Sequence, residues 1–149
     1  MKNRTEKNGS KNNNWATPDW LLKEVISEFG KVFDPCPLDH DLKLWDGLKI
    51  NWCDVNFINP PYGIPFKDQF IKKAYEEWKK GKTCIMLIPS CTDTKTFHKY
   101  IWNKETHKPK EGIEVRFYEG RISFKGYNSK GKYTENGKGQ SGSMLVVFK

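Results

Sequence analysis

Apolar and polar positions follow two different periods along this chain, and each period predicts a different element. In TPDWLLKEVISEFG, Trp20 or Leu21, Leu22, Val25, Ile26 and Phe29 fall on one face of a 3.6-residue repeat. Thr17 reads as the N-cap, Pro18 as the first helical residue, Asp19 as a favourable charge at the helix start and Gly30 as its stop. A second helix is predicted from Pro65 to Lys80, because Phe66, Phe70, Ala74 and Trp78 recur every four residues and Gly81 follows. KVFDPC reads as a short strand ending at Asp34, and VNFIN as another. Residues 37–54 look irregular, with a turn at Asp46-Gly47. TCIMLIP is a continuous apolar run, as in a strand buried on both faces. TDTKTFHKYIW reads as a short helix capped by Thr92, Asp93 or Thr94. GIEVRFYEG, RISFKG and GSMLVVFK read as strands. Residues 125–142, rich in Gly, Lys and Asn without an apolar period, read as a long flexible loop of a kind that is often functional. Most of Trp20, Trp52, Trp78 and Trp102 are expected in the core.

Helices alternating with strands, then an antiparallel end, predict an α/β sandwich with a mostly parallel sheet. Ligands of such sheets bind beyond the carboxyl ends of the strands. Three segments stand there: Asp34-Pro35-Cys36, Asn59-Pro60-Pro61-Tyr62 and Pro89-Ser90-Cys91.

The composition narrows the partners. The 149 residues fit one domain. The first 14 are polar and read as a disordered arm. No signal-peptide core or long apolar stretch is present, so a soluble, intracellular protein is expected. Cys36, Cys53, Cys84 and Cys91 lack CxxC spacing and the three histidines are scattered, which argues for reduced thiols and against zinc. The net charge of +8 is unevenly placed. Residues 1–62 hold 8 Lys and Arg against 9 Asp and Glu, whereas residues 63–149 hold 18 against 9. A basic C-terminal portion suits a polyanion such as nucleic acid; a solvated lysine-rich surface is the plainer reading.

The turn after VNFI carries the most chemistry. Two prolines fix φ and remove two N–H donors, and each restricts the residue before it. The Asn59 amide oxygen and the Pro60 carbonyl can therefore converge on one spot beside the Tyr62 ring. Two acceptors next to an aromatic face suit a planar ligand with an exocyclic NH₂. That nitrogen is a poor nucleophile, because its lone pair is delocalised into the ring. Acceptors on both hydrogens localise the lone pair and stabilise the charge that grows during methylation. An ordinary rigid strand-to-helix turn is the competing explanation.

WATPDWL, FGKVFDPCP, WDGLKINW, FINPPYG, LIPSCTDTKTFH, GRISF and GSMLVVF, in this order over residues 15–148, resemble the small phage-type, Dam-like DNA N6-adenine methyltransferases. The resemblance implies a Rossmann-like fold in a single minimal domain, residues 15–149, with S-adenosylmethionine as cofactor and DNA as partner. It implies a phage or viral source, and so the host cytoplasm, or the nucleus of a eukaryotic host. In that family's terms Asn59 and Pro60 accept from the target amine, Pro61 holds the turn and Tyr62 stacks on the base. Trp15, Thr17 and Pro18 match the motif that leans on the cofactor. Asp34, Pro35 and Cys36 match its first binding motif, and Asp46, Gly47 and Leu48 the segment for its adenine. DPCPLDHD lacks the glycine-rich loop of many methyltransferases, and the ribose-binding acid is open between Asp39 and Asp41.

Arg121, Lys125, Lys130, Lys132 and Lys138, with Tyr127 and Tyr133 among them, are candidates for DNA contact. His98 reads as a surface or core histidine, or as a contact to phosphate or base. Cytosine N4, an RNA base or a protein glutamine are alternative targets of the same turn. A nucleic-acid-binding module without catalysis is the alternative outside enzymes.

Overall fold

The computed structural model describes residues 15–37, 43–44, 46–63, 65–127, 132–138 and 141–149. The predicted arm over residues 1–14 lies outside these, as do Asp39, Asp41 and Lys130. In chain order the elements are β1 (Trp15–Ala16), α1 (Asp19–Phe29), β2 (Val55–Ile58), α2 (Phe66–Lys79), β3 (Thr83–Pro89), α3 (Lys95–Tyr100), β4 (Trp102–Asn103), β5 (Lys108–Pro109), β6 (Ile113–Phe117), β7 (Ser123–Tyr127), β8 (Tyr133–Lys138) and β9 (Ser143–Phe148).

The apolar run TCIMLIP becomes the buried strand β3, and its alternating side chains feed two cores. Cys84, Met86 and Ile88 face a cluster with Trp52, Ile58, Phe70, Ala74 and Phe97 from the α2 and α3 side. Ile85 and Leu87 face Leu21 and Val25 of α1, together with Ile122 and Phe124. β9 divides in the same way, with Met144, Val146 and Phe148 towards the first cluster and Leu145 and Val147 towards the second.

The sheets are small and mixed, which corrects the expected Rossmann-like sandwich with a mostly parallel sheet. Four strands run in the order β2-β3-β9-β6, three in the order β1-β7-β8, and β4 and β5 form a pair. β2 and β3 are parallel. β9 returns antiparallel between β3 and β6, and the two smaller sheets are antiparallel throughout. An apolar run reports that both faces of a strand are covered; it is silent on the direction of its neighbours.

Two further expectations change, and the one that most of the tryptophans lie in the core holds for three of the four. KVFDPC contributes only a parallel bridge from Phe33 to Asn56. Within the predicted loop, Tyr133–Lys138 form β8, paired with β7 from Ser123↔Lys138 to Tyr127↔Tyr133, with a register shift near Phe124. Cross-strand pairing orders a polar, Gly-rich segment that has no apolar period of its own. Trp20 is 47% exposed and meets Tyr118 edge-on, whereas Trp52 is buried and Trp78 and Trp102 pack against the core.

The helix ends follow local rules. Gly30, at φ 81°, closes α1 by donating its N–H to the Ile26 carbonyl. At the other end Pro18 occupies the cap position without a side-chain hydrogen bond, so Thr17 is not the cap. Thr94 does cap α3, accepting from the Phe97 N–H at 3.2 Å.

Candidate active site

A parallel contact at the sheet edge builds the site. The Phe33 N–H donates to the Val55 carbonyl, and the Phe57 N–H donates to the Phe33 carbonyl, both at 2.9 Å. Parallel chains leave a sheet at the same end, so Asp34-Pro35-Cys36 emerges beside Asn59-Pro60-Pro61-Tyr62. Asp34 Oδ1 accepts from the Cys36 N–H at 2.8 Å, a turn that orients the carboxylate within its own loop.

The strand β1 reaches this edge from the small sheet, where Trp15 pairs with Gly126 and Ala16 with Lys125. The Trp15 ring lies on Gly137 of β8; a Cβ there would sit 2.1 Å from it. Beside this ring a cavity of about 370 Å³ opens, lined by Trp15, Ala16, Thr17, Leu22, Ile26, Val32, Asp34, Cys36, Phe57 and Asn59. Its volume suits a small organic ligand. Five residues singled out in the sequence, spread from Trp15 to Asn59, thus share one wall.

Asn59 is held at the rim by its amide nitrogen. Nδ2 donates to the Trp15 carbonyl at 3.3 Å and to Thr17 Oγ1 at 3.1 Å. A carbonyl can only accept, so the amide face turned to Trp15 must be the NH₂. The Oδ1 acceptor then points away from β1, and no hydrogen bond to it occurs among the described residues. Pro60 and Pro61 are buried.

Tyr62 is half-buried. Its hydroxyl donates to the Leu87 carbonyl at 3.4 Å, and its ring meets Phe124 at 86° with centroids 6.2 Å apart. Burial pushes the phenol above its ordinary range, so at neutral pH Tyr62 is a neutral donor and not a base.

Other expected site residues stand elsewhere. Pro18 is buried at the start of α1, outside the cavity lining. Asp46, Gly47 and Leu48 form a turn behind Pro35: Asp46 Oδ1 accepts from the Leu48 N–H at 3.0 Å, and the Gly47 carbonyl from Trp52 Nε1 at 2.8 Å. A Cβ on Gly47 would lie 2.1 Å from the Pro35 carbonyl oxygen. Gly47→Ala is therefore expected to push this turn off Pro35 and destabilise the fold by about 1–3 kcal/mol, read by denaturant unfolding.

Sequence reading missed the apolar wall. Leu22 and Ile26 belong to the apolar face of α1, yet they line the cavity, which is why Ile26 remains 45% exposed. Helical spacing cannot separate a residue facing the core from one facing a pocket beside it.

Among the described residues no group of three or more His, Cys, Asp or Glu is placed to hold a metal ion, and no helix is long and apolar enough to cross a membrane. The sequence model of the DNA N-6-adenine-methyltransferase (Dam) family matches residues 4–149. The chain belongs to the Dam family. Its reaction is methylation of adenine N6 and its substrate is DNA. No curated protein and no solved structure matches the chain.

Against a Dam-family substrate, the basic candidates differ in availability. Arg121 is exposed directly after Gly120, in the segment that follows β6. Lys125 is engaged with Asp19 at 2.7 Å. That hydrogen bond and its charge raise the Lys125 pKa and lower that of Asp19. Lys132 is exposed, and Lys138 ends β8. His98 turns to its own chain, with Nε2 at 2.8 Å from the Thr92 carbonyl.

Proposed function

We propose that the chain transfers a methyl group from S-adenosylmethionine to N6 of an adenine swung out of the DNA helix, with Asn59, Pro60 and Tyr62 as the catalytic turn. The observation that carries this reading is the position of the Asn59 amide: its nitrogen is tied to β1, its oxygen is left as an acceptor, and it stands on the rim of the cavity shared with Asp34, Cys36 and Trp15.

The cavity fits the cofactor chemically. Leu22, Ile26, Val32 and Phe57 offer apolar surface, Trp15 an aromatic face and Asp34 a carboxylate for a cationic end. Trp15, Asp34 and Cys36 would hold it, with Thr17 beside them in the cavity wall, and Asp46, Gly47 and Leu48 would support that wall through Pro35. When bound, S-adenosylmethionine would supply an electrophilic methyl group and leave as the neutral thioether S-adenosylhomocysteine, with the surplus N6 proton passing to solvent. The chain's own residues prepare the nitrogen. Asn59 Oδ1 and the Pro60 carbonyl accept from the adenine NH₂, pull its lone pair out of conjugation and stabilise the positive charge that develops. Pro61 keeps the acceptors from drifting. Tyr62, steadied by Leu87 and Phe124, offers a ring that makes up part of the stacking lost on flipping. Arg121, Lys132 and Lys138, with Lys130, would contact the backbone. Lys125 would have to leave Asp19 to join them.

The test is incubation of the protein with labelled S-adenosylmethionine and unmethylated duplex DNA, followed by nucleoside mass spectrometry. N6-methyladenine is expected. N4-methylcytosine, label on protein, or no transfer would each overturn the reading.

A further inference from the structure

We infer that Thr17 is a positioning residue for the reaction: its hydroxyl and the Trp15 carbonyl form an acceptor pair that fixes which end of the Asn59 amide faces the substrate. The inference rests on the function proposed above and adds to it a part the catalytic turn does not itself contain.

An amide side chain has two ends of nearly equal shape and opposite hydrogen-bonding sense. Rotated by half a turn, Asn59 would present NH₂ to the adenine NH₂, two donors face to face, and the activating acceptor would be gone. Pro60 and Pro61 stiffen the backbone, but they do not set the last torsion of Asn59. The acceptors on Trp15 and Thr17, in and directly after β1, do. Nδ2 lies 3.3 Å from the Trp15 carbonyl and 3.1 Å from Thr17 Oγ1, so each amide hydrogen has a partner. Reversal would set Oδ1 against a carbonyl oxygen, leaving only the Thr17 hydroxyl as a donor.

Thr17 is not needed for capping, since Pro18 takes that place at α1. Its acceptor position is instead held from the small sheet. β1 is only two residues long, yet it pairs with β7, and the Trp15 ring is seated on Gly137 of β8. The two hydrogen bonds thus join the turn after β2 in the four-stranded sheet to the three-stranded sheet. Thr17 also lines the cavity, so the competing role is a contact to the cofactor.

Thr17→Val keeps the branched shape and removes the acceptor. Its kcat is expected to fall about 10- to 100-fold, the effect of loosening a reacting group, with KM for DNA and the calorimetric cofactor affinity within about 3-fold of wild type. Thr17→Ser restores the acceptor and is expected to restore most of kcat. In the protein without cofactor, solvent exchange of the Asn59 side-chain amide protons, followed by NMR, should be slow in wild type and in Thr17→Ser and faster in Thr17→Val. A Thr17→Val enzyme with wild-type kcat, a Thr17→Ser enzyme as impaired as Thr17→Val, or a loss cured by saturating cofactor would overturn the inference. Wild-type protein that methylates no adenine would instead overturn the proposed function, and the amide exchange would still report on the clamp.

Discussion

Asn59→Ala is expected to lower methyl transfer by about 10³-fold, the scale seen when one preorganised hydrogen-bonding group is removed from a reaction centre. The substitution deletes the amide acceptor of the proposed catalytic turn and would leave the Pro60 carbonyl to activate the amine alone. It also frees the Trp15 carbonyl and Thr17 Oγ1, which share the Asn59 amide hydrogens. Both stand in a half-buried region and can be rehydrated, so the loss of stability should be small, about 1 kcal/mol. Cofactor affinity should remain within a few-fold, because the remaining cavity wall is built by other residues. Asn59→Asp keeps acceptor oxygens but turns a carboxylate towards the Trp15 carbonyl, so its activity should fall between those of wild type and Asn59→Ala. Single-turnover kinetics and calorimetry separate the two effects. An Asn59→Ala protein that kept a tenth of the wild-type rate would exclude Asn59 as the principal acceptor.

The largest stability effect is expected at Glu77, far from the catalytic turn. Glu77 is fully buried on α2, with Lys73 at 2.7 Å and Lys80 at 3.4 Å, and with Lys82 bonded to its other oxygen. Lys82 in turn donates to the Trp52 carbonyl at 2.7 Å, which ties this charge cluster to the segment before β2. Burial opposes ionisation of Glu77, but hydrogen bonds from Lys73 and Lys82, aided by their charges, outweigh it and bring the carboxyl down to about 2. Glu77→Gln leaves these ammonium groups without a counter-charge. Removing one partner of a buried pair typically costs 3–5 kcal/mol; all three lysines retain some solvent, so about 3 kcal/mol is expected from urea unfolding at pH 7.

The pH dependence of this cluster has a definite sign. A folded-state value below the unfolded one means that the unfolded chain binds the proton more readily, so acid favours unfolding. The contribution of Glu77 is full above its ordinary value of 4.5 and is lost as the pH falls towards about 2. Across that window the stability of Glu77→Gln should decline less steeply than that of wild type. Parallel curves would mean that Glu77 has no such coupling to folding.

Sequence patterns reached unevenly into this structure, for reasons visible in single residues. Phe66, Phe70 and Ala74 mark the buried face of α2 because a helix repeats its faces with a fixed period. The same period on α1 mixed two environments: Leu21 and Val25 are buried in the core, Ile26 faces the cavity, and Leu22 touches both. Thr17 carries a good capping side chain in a good capping context, but local propensity lost to a tertiary partner 42 residues away. Glu77 was silent, since a charged residue in a helical repeat gives no sign that three lysines will enclose it.

The sequence by itself determined the chemistry available and the local stiffness. Asn-Pro-Pro-Tyr is rigid and rich in acceptors wherever it is placed, because proline fixes φ and has no N–H. The run from Thr83 to Pro89 had to be buried on both faces, because nothing else would shield it from water. The tertiary structure decided the sheet order, since β9 enters between β3 and β6 through pairings that no local pattern encodes. It also decided which end of the Asn59 amide is presented. That depends on two acceptors delivered by β1, whose position is set by the small sheet and by the space a glycine leaves for the Trp15 ring.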